Sequence, residues 1–260
     1  MLIDSHCHLD RLDLAPYDND LGQALQAARD TGVAGFLCVA IDRGNIPKMI
    51  ALAERYPDVY ASVGVHPNTE EAPDNPVSRD ELLTLAAHPK VIAIGETGLD
   101  YYHSKGDLQW QHERFREHIR ASKVSGKPLI IHCREAAADT IRILREEGAD
   151  QVGGVMHCFV EDQTTAEEAM ALGFYISFSG IVTFKNAREL QAVAKTIPAE
   201  RLLVETDSPY LAPVPHRGKS NQPMYVRKVA EFLAELRDES YEHVAEQTSA
   251  NFRRLFLKAA

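Results

Sequence analysis

Short apolar runs alternate with longer amphipathic stretches from one end of the chain to the other. This alternation predicts βα units, in which each strand is followed by a helix and the strands form a parallel sheet. The predicted strands are Leu2–Asp4, Gly35–Val39, Tyr60–Val65, Val91–Gly95, Pro128–His132, Gly154–His157, Tyr175–Phe178 and Leu202–Glu205.

Helical windows separate these strands, and several of them are followed by a glycine or proline that stops a helix. The predicted helices are Asp20–Thr31, Asn45–Arg55, Arg79–Ala87, Leu108–Ser125, Ala136–Glu147, Thr165–Leu172 and Ala187–Lys195, with Met224–Arg237 and Tyr241–Phe256 after the last strand. Eight strands with intervening helices predict an α/β protein with the (β/α)8 TIM barrel fold. The 260 residues suit a single domain, 1–260, because one such barrel needs ~250 residues.

The composition is that of a globular chain, with 45% hydrophobic and 25% charged residues. The four cysteines form no C-x-x-C pair and are interpreted as reduced thiols. The N-terminus lacks the pattern of a secretory signal, and no apolar run approaches the ~18 residues of a membrane span. We therefore expect a cytoplasmic protein without membrane contact, and nothing in the sequence indicates an obligate protein partner.

The formal net charge of −10 argues against an extended basic surface for duplex nucleic acid, since such surfaces gain affinity by replacing counterions with Lys and Arg. The charge favours a small or single-stranded substrate. It does not exclude nucleic acid, because bound divalent cations would reverse the local field that a phosphate meets.

Histidines and acids recur where the predicted strands end. In a parallel barrel these ends all open on one face, so residues that are distant in sequence converge there. The residues in question are His6 and His8 after the first strand, His66 after the third, Glu96 after the fourth, His132 and His157 at the ends of the fifth and sixth, and Asp207 after the eighth.

Imidazole and carboxylate groups together suit zinc, manganese and related ions, and two ions joined by a shared carboxylate need about this many ligands. His6 and His8 are alternate residues and can reach one ion as the strand ends. Glu96 is the natural bridging ligand. Asp207 can bind metal and also take a proton from the attacking water, while Glu205 either orients a ligand or forms a plain buried ion pair.

The sequence motifs around these residues resemble one family along the whole chain. The chain is similar to the TatD family of metal-dependent deoxyribonucleases within the amidohydrolase-like barrels. The resemblance implies that His6, His8, Glu96 and Asp207 hold one ion and that Glu96, His132 and His157 hold the other. The motifs are Asp4-Ser5-His6-Cys7-His8-Leu9-Asp10, Gly64-Val65-His66-Pro67, Gly95-Glu96-Thr97-Gly98-Leu99-Asp100-Tyr101-Tyr102, Ile131-His132-Cys133-Arg134, His157-Cys158-Phe159 and Glu205-Thr206-Asp207-Ser208-Pro209-Tyr210-Leu211.

The resemblance also implies hydrolysis of DNA from the 3′ end of single strands, with a water activated by two divalent ions (Mg, Mn or Zn). The segment Pro215–Pro223 is similar to the family's loop after the last strand, where Arg217 could grip a phosphate and Asn221 could donate to a nucleotide. A solvated loop with incidental charge is the alternative for this segment. His66 and Arg134 are further candidate phosphate contacts.

Two other functions fit the same residues. An amidohydrolase or an aminoacyl-tRNA deacylase could use the same metal site, and the ligand set alone does not separate these enzymes from a nuclease. A non-enzymatic binding module with a structural ion is disfavoured, because six candidate ligands at an open strand mouth leave room for water. Tyr101, Tyr102 or Phe159 could stack on a base, or simply pack at the barrel rim.

Overall fold

A computed structural model describes residues 1–71 and 75–257 of the chain. Strands and helices alternate along these residues, which confirms the predicted fold class. The strands are β1 (Leu2–Cys7), β2 (Val33–Cys38), β3 (Val59–Val63), β4 (Val91–Asp100), β5 (Leu129–Arg134), β6 (Gly154–Met156), β7 (Phe174–Phe178) and β8 (Leu202–Val204). The α-helices are α1 (Leu21–Asp30), α2 (Ile46–Arg55), α3 (Arg79–Ala86), α4 (Gln109–Ser125), α5 (Ala137–Glu146), α6 (Gln163–Ala171), α7 (Arg188–Thr196), α8 (Val226–Leu236) and α9 (Tyr241–Phe256).

Each strand pairs in parallel with the next one in sequence, in the order β1 to β8. The ring closes where the end of β1 meets the segment after β8. The Asp207 amide donates to the His6 carbonyl at 2.9 Å, and the His8 amide donates to the Ser208 carbonyl at 2.8 Å. We call these two hydrogen bonds the barrel seam; it lies at the carboxyl end of the strands.

The opposite end of the barrel is filled by apolar side chains. Strand residues such as Ile3, Leu37 and Ile130 pack there against Phe252 and Phe256 of α9. A second and larger apolar layer lies between the sheet and the surrounding helices. Because both faces of the sheet are covered, the strands are apolar along most of their length, and polar groups are concentrated at the carboxyl mouth.

Strands β1 and β4 extend furthest beyond the ends that their apolar pattern predicts. β1 continues to Cys7 and β4 continues to Asp100, so His6 and Glu96 lie inside strands instead of after them. Both strands also carry one extra residue relative to the next strand. Three residue steps from Ile94 to Thr97 on β4 face two steps on β5, and β1 shows the same mismatch before Cys7. Such bulges re-aim a side chain, and here they occur in two of the strands that carry candidate ligands.

Helix ends agree with their sequence signals within a few residues. Helix α6 begins at Gln163, earlier than predicted, because the Asp162 carboxylate caps it by accepting from the Thr165 amide. None of the helices in residues 1–71 and 75–257 has the length and apolar character needed to cross a membrane.

Candidate metal centre

Four side chains from β1, β4 and the segment after β8 form the first donor group. His6 Nε2 lies 3.4 Å from His8 Nε2 and 3.4 Å from Glu96 Oε2. Asp207 Oδ1 lies 3.3 Å from His8 Nε2 and 3.6 Å from His6 Nε2. Two imidazole nitrogens and two carboxylate oxygens thus point at one small volume, which is the donor set that zinc and manganese accept.

The second donor group surrounds the other oxygen of Glu96. Its Oε1 lies 2.9 Å from His157 Nε2 and 3.1 Å from His132 Nδ1. His66 Nε2 lies 3.4 Å from the same oxygen and 3.2 Å from His132 Nδ1. His66 is therefore placed among possible ligands as well as at the position of a substrate contact. It forms with Glu96 and His132 one of the triads whose donor atoms lie within 4.8 Å of one another.

The electrostatics favour anionic carboxylates in both groups. Burial opposes the ionisation of Glu96, but its electrostatic interactions with His157 and His66 and its hydrogen bonds with His132 and His157 outweigh this and hold the pKa of Glu96 well below its ordinary value. Burial likewise opposes ionisation of Asp207, and its hydrogen bond with His8 lowers the pKa of that carboxyl. Both acids are poised as anionic ligands. The donor types and their convergence therefore fit divalent cations on either side of Glu96.

Hydrogen bonds from the non-ligating atoms orient three of the imidazoles. His8 Nδ1 donates to the Val39 carbonyl at 3.0 Å, and His157 Nδ1 lies 3.1 Å from Glu205 Oε1. His132 is held in the reverse sense, because its Nε2 lies 3.1 Å from Asp100 Oδ2 and its Nδ1 faces Glu96. Partners of this kind fix the tautomer of a ligating histidine.

Asp100 is a site residue to which sequence analysis gave no role. Its carboxylate is fully buried and accepts from His132, from Asn68 Nδ2 at 2.7 Å and from His103 Nδ1 at 2.9 Å. The predicted strand ended at Gly95, so only the observed length of β4 reveals the relation between the two acids. Glu96 and Asp100 are four residues apart on one strand, a spacing that places both on the same face.

Helix α4 supports the loop that carries His66 and the end of β4 that carries Asp100. Arg114 donates to the carbonyl of His66 at 2.9 Å, and the Gln111 side chain accepts from the Asp100 amide at 3.0 Å. His118 Nε2 accepts from the Val65 amide at 3.0 Å. A buried polar stripe on this helix therefore lies beside the apolar residues Phe115 and Ile119, which pack into the core.

The two donor groups open into a cavity of about 430 Å³, a volume typical of small-ligand sites. Five of the six predicted metal ligands line it together with His66 and Arg134, and the sixth, His6, is fully buried. The exposed Arg134 guanidinium stacks on the ring of Tyr102, with its Cζ 4.3 Å from the ring centroid. A cation therefore stands at the rim of the cavity.

The loop after β8 differs from its expected role. Asn221 is completely buried, and its amide donates to the carbonyls of Thr206 at 2.8 Å and Tyr210 at 2.6 Å. The expectation that Asn221 donates to a nucleotide is corrected here, because both amide hydrogens are used to hold the loop in place. Arg217 is exposed and stacks on Phe184 at 4.3 Å. Arg217 is not among the described residues that line the cavity.

The three aromatic residues suggested as base contacts also differ in their surroundings. Tyr101 donates its hydroxyl to Asp139 at 2.7 Å, and Phe159 is buried against Phe178. Both therefore pack at the rim. Tyr102 is half exposed, but one face of its ring is covered by Arg134.

A parallel barrel with imidazoles and carboxylates at its mouth defines a class of protein, the metal-dependent hydrolases built on a (β/α)8 barrel. Residues 3–257 match the sequence profile of the family described as "TatD related DNase". The chain belongs to the TatD family, and it is a metal-dependent hydrolase.

Individual relatives agree with this assignment. The chain is 49% identical to the Escherichia coli K12 protein named "Uncharacterized metal-dependent hydrolase YcfH", over 98% of this chain and 95% of the relative. It is 34% identical to the protein of Cronobacter sakazakii named "3'-5' ssDNA/RNA exonuclease TatD", over 94% of each chain. The crystal structure of the TatD homologue YjjV from E. coli K12 superposes with a TM-score of 0.90 at 30% identity, covering 99% of this chain and 98% of that one.

Proposed function

We propose that this protein hydrolyses phosphodiester bonds at the 3′ end of single-stranded DNA with two divalent cations, Mg, Mn or Zn. The observation that carries the proposal is the position of Glu96, whose two carboxylate oxygens face separate donor groups. A carboxylate in this position suits a pair of ions, and paired ions suit phosphoryl chemistry. The name of the Cronobacter relative supports nucleic acid as the substrate.

The protein side chains supply orientation and proton transfer. Bound cations lower the pKa of water and offset charge that grows on the phosphate oxygens. Asp207 keeps part of its side chain exposed to the cavity and, as an anion, takes the proton of the attacking water. Glu96 is buried and holds the two donor groups at a fixed separation.

Two side chains at the cavity are suited to the phosphate. Arg134, at the end of β5, brings a permanent positive charge to the rim. His66 follows β3, on the other side of β4, and faces Glu96. Arg217 is not among the described residues that line the cavity, and we assign it a contact with the DNA backbone further from the cleaved bond. The site is thus positive only locally, which suits a chain with a net charge of −10.

The proposal is tested with a 5′-labelled single-stranded oligonucleotide and metal-loaded protein. Removal from the 3′ end gives a ladder of progressively shorter labelled strands, whereas the reverse polarity releases the label at once in a mononucleotide. Activity should vanish in chelator and return with Mg²⁺, Mn²⁺ or Zn²⁺. Hydrolysis of an aminoacyl-tRNA ester with the oligonucleotide left intact would contradict the proposal in favour of a deacylase.

A Glu96→Gln variant tests the role of the bridging carboxylate. We expect turnover to fall by at least about 100-fold, because the neutral amide cannot serve two cations. The exposed Glu54→Gln substitution is the matched control and should keep wild-type turnover. Circular dichroism of both variants checks that the fold is retained; a folded Glu96→Gln protein with full activity would contradict the assignment.

A further inference from the structure

The lining of the cavity is apolar on one side. Val160 follows β6, Ile181 follows β7, and Tyr210 and Leu211 follow β8. These three strands are neighbours in the barrel, so the four side chains form one surface, which we call the apolar wall. Val160 and Tyr210 are large apolar side chains that remain 43% and 46% exposed, an arrangement that marks a contact surface when it lines a cleft.

The apolar wall is held rigidly by the loops behind it. A Cβ atom on Gly180 would lie 1.9 Å from the Leu211 carbonyl oxygen, so the loop after β8 packs directly on the turn after β7. The Thr183 hydroxyl accepts from the Val214 amide at 2.9 Å, and the buried Asn221 holds the Tyr210 carbonyl. The wall is therefore a preformed surface.

Leu211 adopts a backbone conformation that leucine rarely takes, with φ at +56°. Bulky residues persist in the left-handed region only when the surroundings impose it, and such residues cluster at ligand-binding sites. Asparagine or glycine would be the ordinary choice at this position. The strained backbone carries a leucine side chain that lines the cavity, which points to a use for that side chain beyond folding.

The apolar wall stands next to the first donor group. The Tyr210 ring lies edge-on to the His8 ring, with 5.9 Å between centroids. When the anionic group of a ligand binds cations in the donor groups, the part of the ligand next to that group therefore lies beside the apolar wall. The cavity of about 430 Å³ is small enough to favour a single nucleotide unit over a length of duplex.

We infer that the apolar wall binds the base of the terminal nucleotide while its phosphate lies on the cations, an inference that rests on the proposed function for its choice of ligand. A base has an apolar face of the kind that aromatic and aliphatic side chains contact. Val160, Ile181 and Leu211 offer only carbon atoms, so they contact any base without reading its hydrogen-bonding edge. The site therefore accepts all four bases with little preference.

Tyr102 is the competing stacking residue at the mouth. Its ring is already covered on one face by Arg134, and it is not among the described residues that line the cavity. Tyr210 has the exposed ring within the lining. The geometry therefore favours Tyr210 over Tyr102 as the base contact.

Binding of unreactive ligands tests the inference without any hydrolysis. Calorimetry on Mn²⁺-loaded protein compares deoxyadenosine 5′-monophosphate with 2-deoxyribose 5-phosphate, which lacks the base. We expect the wild type to bind the nucleotide roughly tenfold more tightly. In Tyr210→Ala this ratio should fall toward one. Equal affinity of the wild type for the two ligands would overturn the inference.

Two control variants locate the effect. Tyr102→Ala removes the other half-exposed tyrosine of the mouth, and Val124→Ala removes an exposed valine of α4 outside the cavity. Both should keep the wild-type ratio. A ratio that collapses in Tyr102→Ala and survives in Tyr210→Ala would move the base to the other side of the mouth and overturn the inference.

Leu211→Asn separates ligand binding from structural support. Asparagine tolerates the left-handed conformation, so we expect the melting temperature to hold while the nucleotide ratio falls. A lower melting temperature with an unchanged ratio would show a purely structural leucine and count against the wall. The labelled-strand assay is independent of these measurements. Tighter binding of the nucleotide than of the sugar phosphate, with the oligonucleotide left intact, would refute only the proposed nuclease. Cleavage of the oligonucleotide by a protein that binds the two ligands equally would refute only the wall.

Discussion

The carboxylate of Asp100 determines which nitrogen of His132 faces Glu96. Besides His132, it accepts from Asn68, from His103 Nδ1 and from the amides of Tyr102 and His103. Burial opposes its charge, but these hydrogen bonds, led by that of His132, keep the pKa of Asp100 well below its ordinary value. An anion fully committed to donors leaves His132 Nδ1 as the free lone pair for a cation.

Replacing Asp100 with Asn should weaken metal binding at the His132 side of Glu96. The amide cannot accept from all five donors, so the His132 tautomer is no longer fixed, and we expect affinity for the second cation to fall about 10- to 100-fold. Calorimetric titration of metal-free protein with Mn²⁺ measures this loss. The exposed Asp80→Asn substitution is the control, and unchanged binding in Asp100→Asn would rule out the role.

His118 makes a pH-dependent contribution to stability. It is fully buried and neutral, donating from Nδ1 to the Arg114 carbonyl and accepting at Nε2 from Val65. Burial lowers the pKa of His118 to about 4. Below pH ~6.5 the unfolded chain binds a proton that the folded protein does not bind, so stability is complete above that pH and declines toward pH ~4, by about 3 kcal/mol.

The His118→Gln variant should lose this component, because glutamine accepts from Val65 but does not titrate. Urea unfolding of metal-free protein at pH 7.5 and pH 4.5 measures the change for each protein, since other groups titrate equally in both. The exposed His243→Gln substitution should keep the wild-type dependence. An identical pH dependence in His118→Gln would show that His118 is protonated in the folded state.

At the scale of elements, β4 and β5 approach unusually closely where both carry site residues. Gly98 has φ at +138°, and a Cβ atom there would lie 2.0 Å from the His132 carbonyl oxygen. Only glycine fits both conditions. The absence of a side chain on β4 is what brings Glu96 and His132 within 3.1 Å of each other.

Substituting Gly98 with Ala should therefore destabilise the fold by about 3–5 kcal/mol, the sum of a strained φ and a steric overlap. Gly106→Ala is a matched control, since Gly106 also has a positive φ of +89° but nothing within 4 Å of the added atom. We expect it to cost about 1–2 kcal/mol. Equal losses in chemical denaturation would indicate that β4 and β5 separate easily.

The order of strands and helices followed from the sequence because apolar runs and helical windows alternate clearly. The ends of β1 and β4 did not, since the strands continue through polar residues where candidate metal ligands replace apolar side chains at the mouth. The polar stripe of α4 was also missed. Gln111 and His118 have no helical-pattern signal of their own, and only the neighbouring loops reveal their partners.

The candidate ligands could be predicted because parallel strands bring their ends together, whatever their distance in sequence. Side-chain contacts could not. Asn221 looked suited to a nucleotide, yet its amide is used by backbone carbonyls in its own loop, and Arg217 turns to Phe184. A loop's polar residues satisfy buried backbone groups first, and sequence does not show which ones.

At the scale of the whole molecule, metal should stabilise the barrel seam. His6 and His8 lie on the β1 side of the seam and Asp207 lies on the β8 side, so a cation in the first donor group would join the two sides. Binding to the folded state alone raises stability. We expect slower hydrogen exchange of the His8 and Asp207 amides in metal-loaded protein, with α1 amides unaffected; equal changes in both regions would contradict a local effect.

The seam has a consequence for how the protein fails. One ion in the first donor group would join His6 and His8 to Asp207, chain segments that are distant in sequence, and because it would bind only the folded state it would stabilise the closed barrel. Catalysis and closure of the barrel would therefore depend on the same ion. As the concentration of free metal declines, thermal stability and turnover should be lost at the same metal concentration. Metal-free protein should then be degraded by proteases instead of persisting as a folded, inactive enzyme.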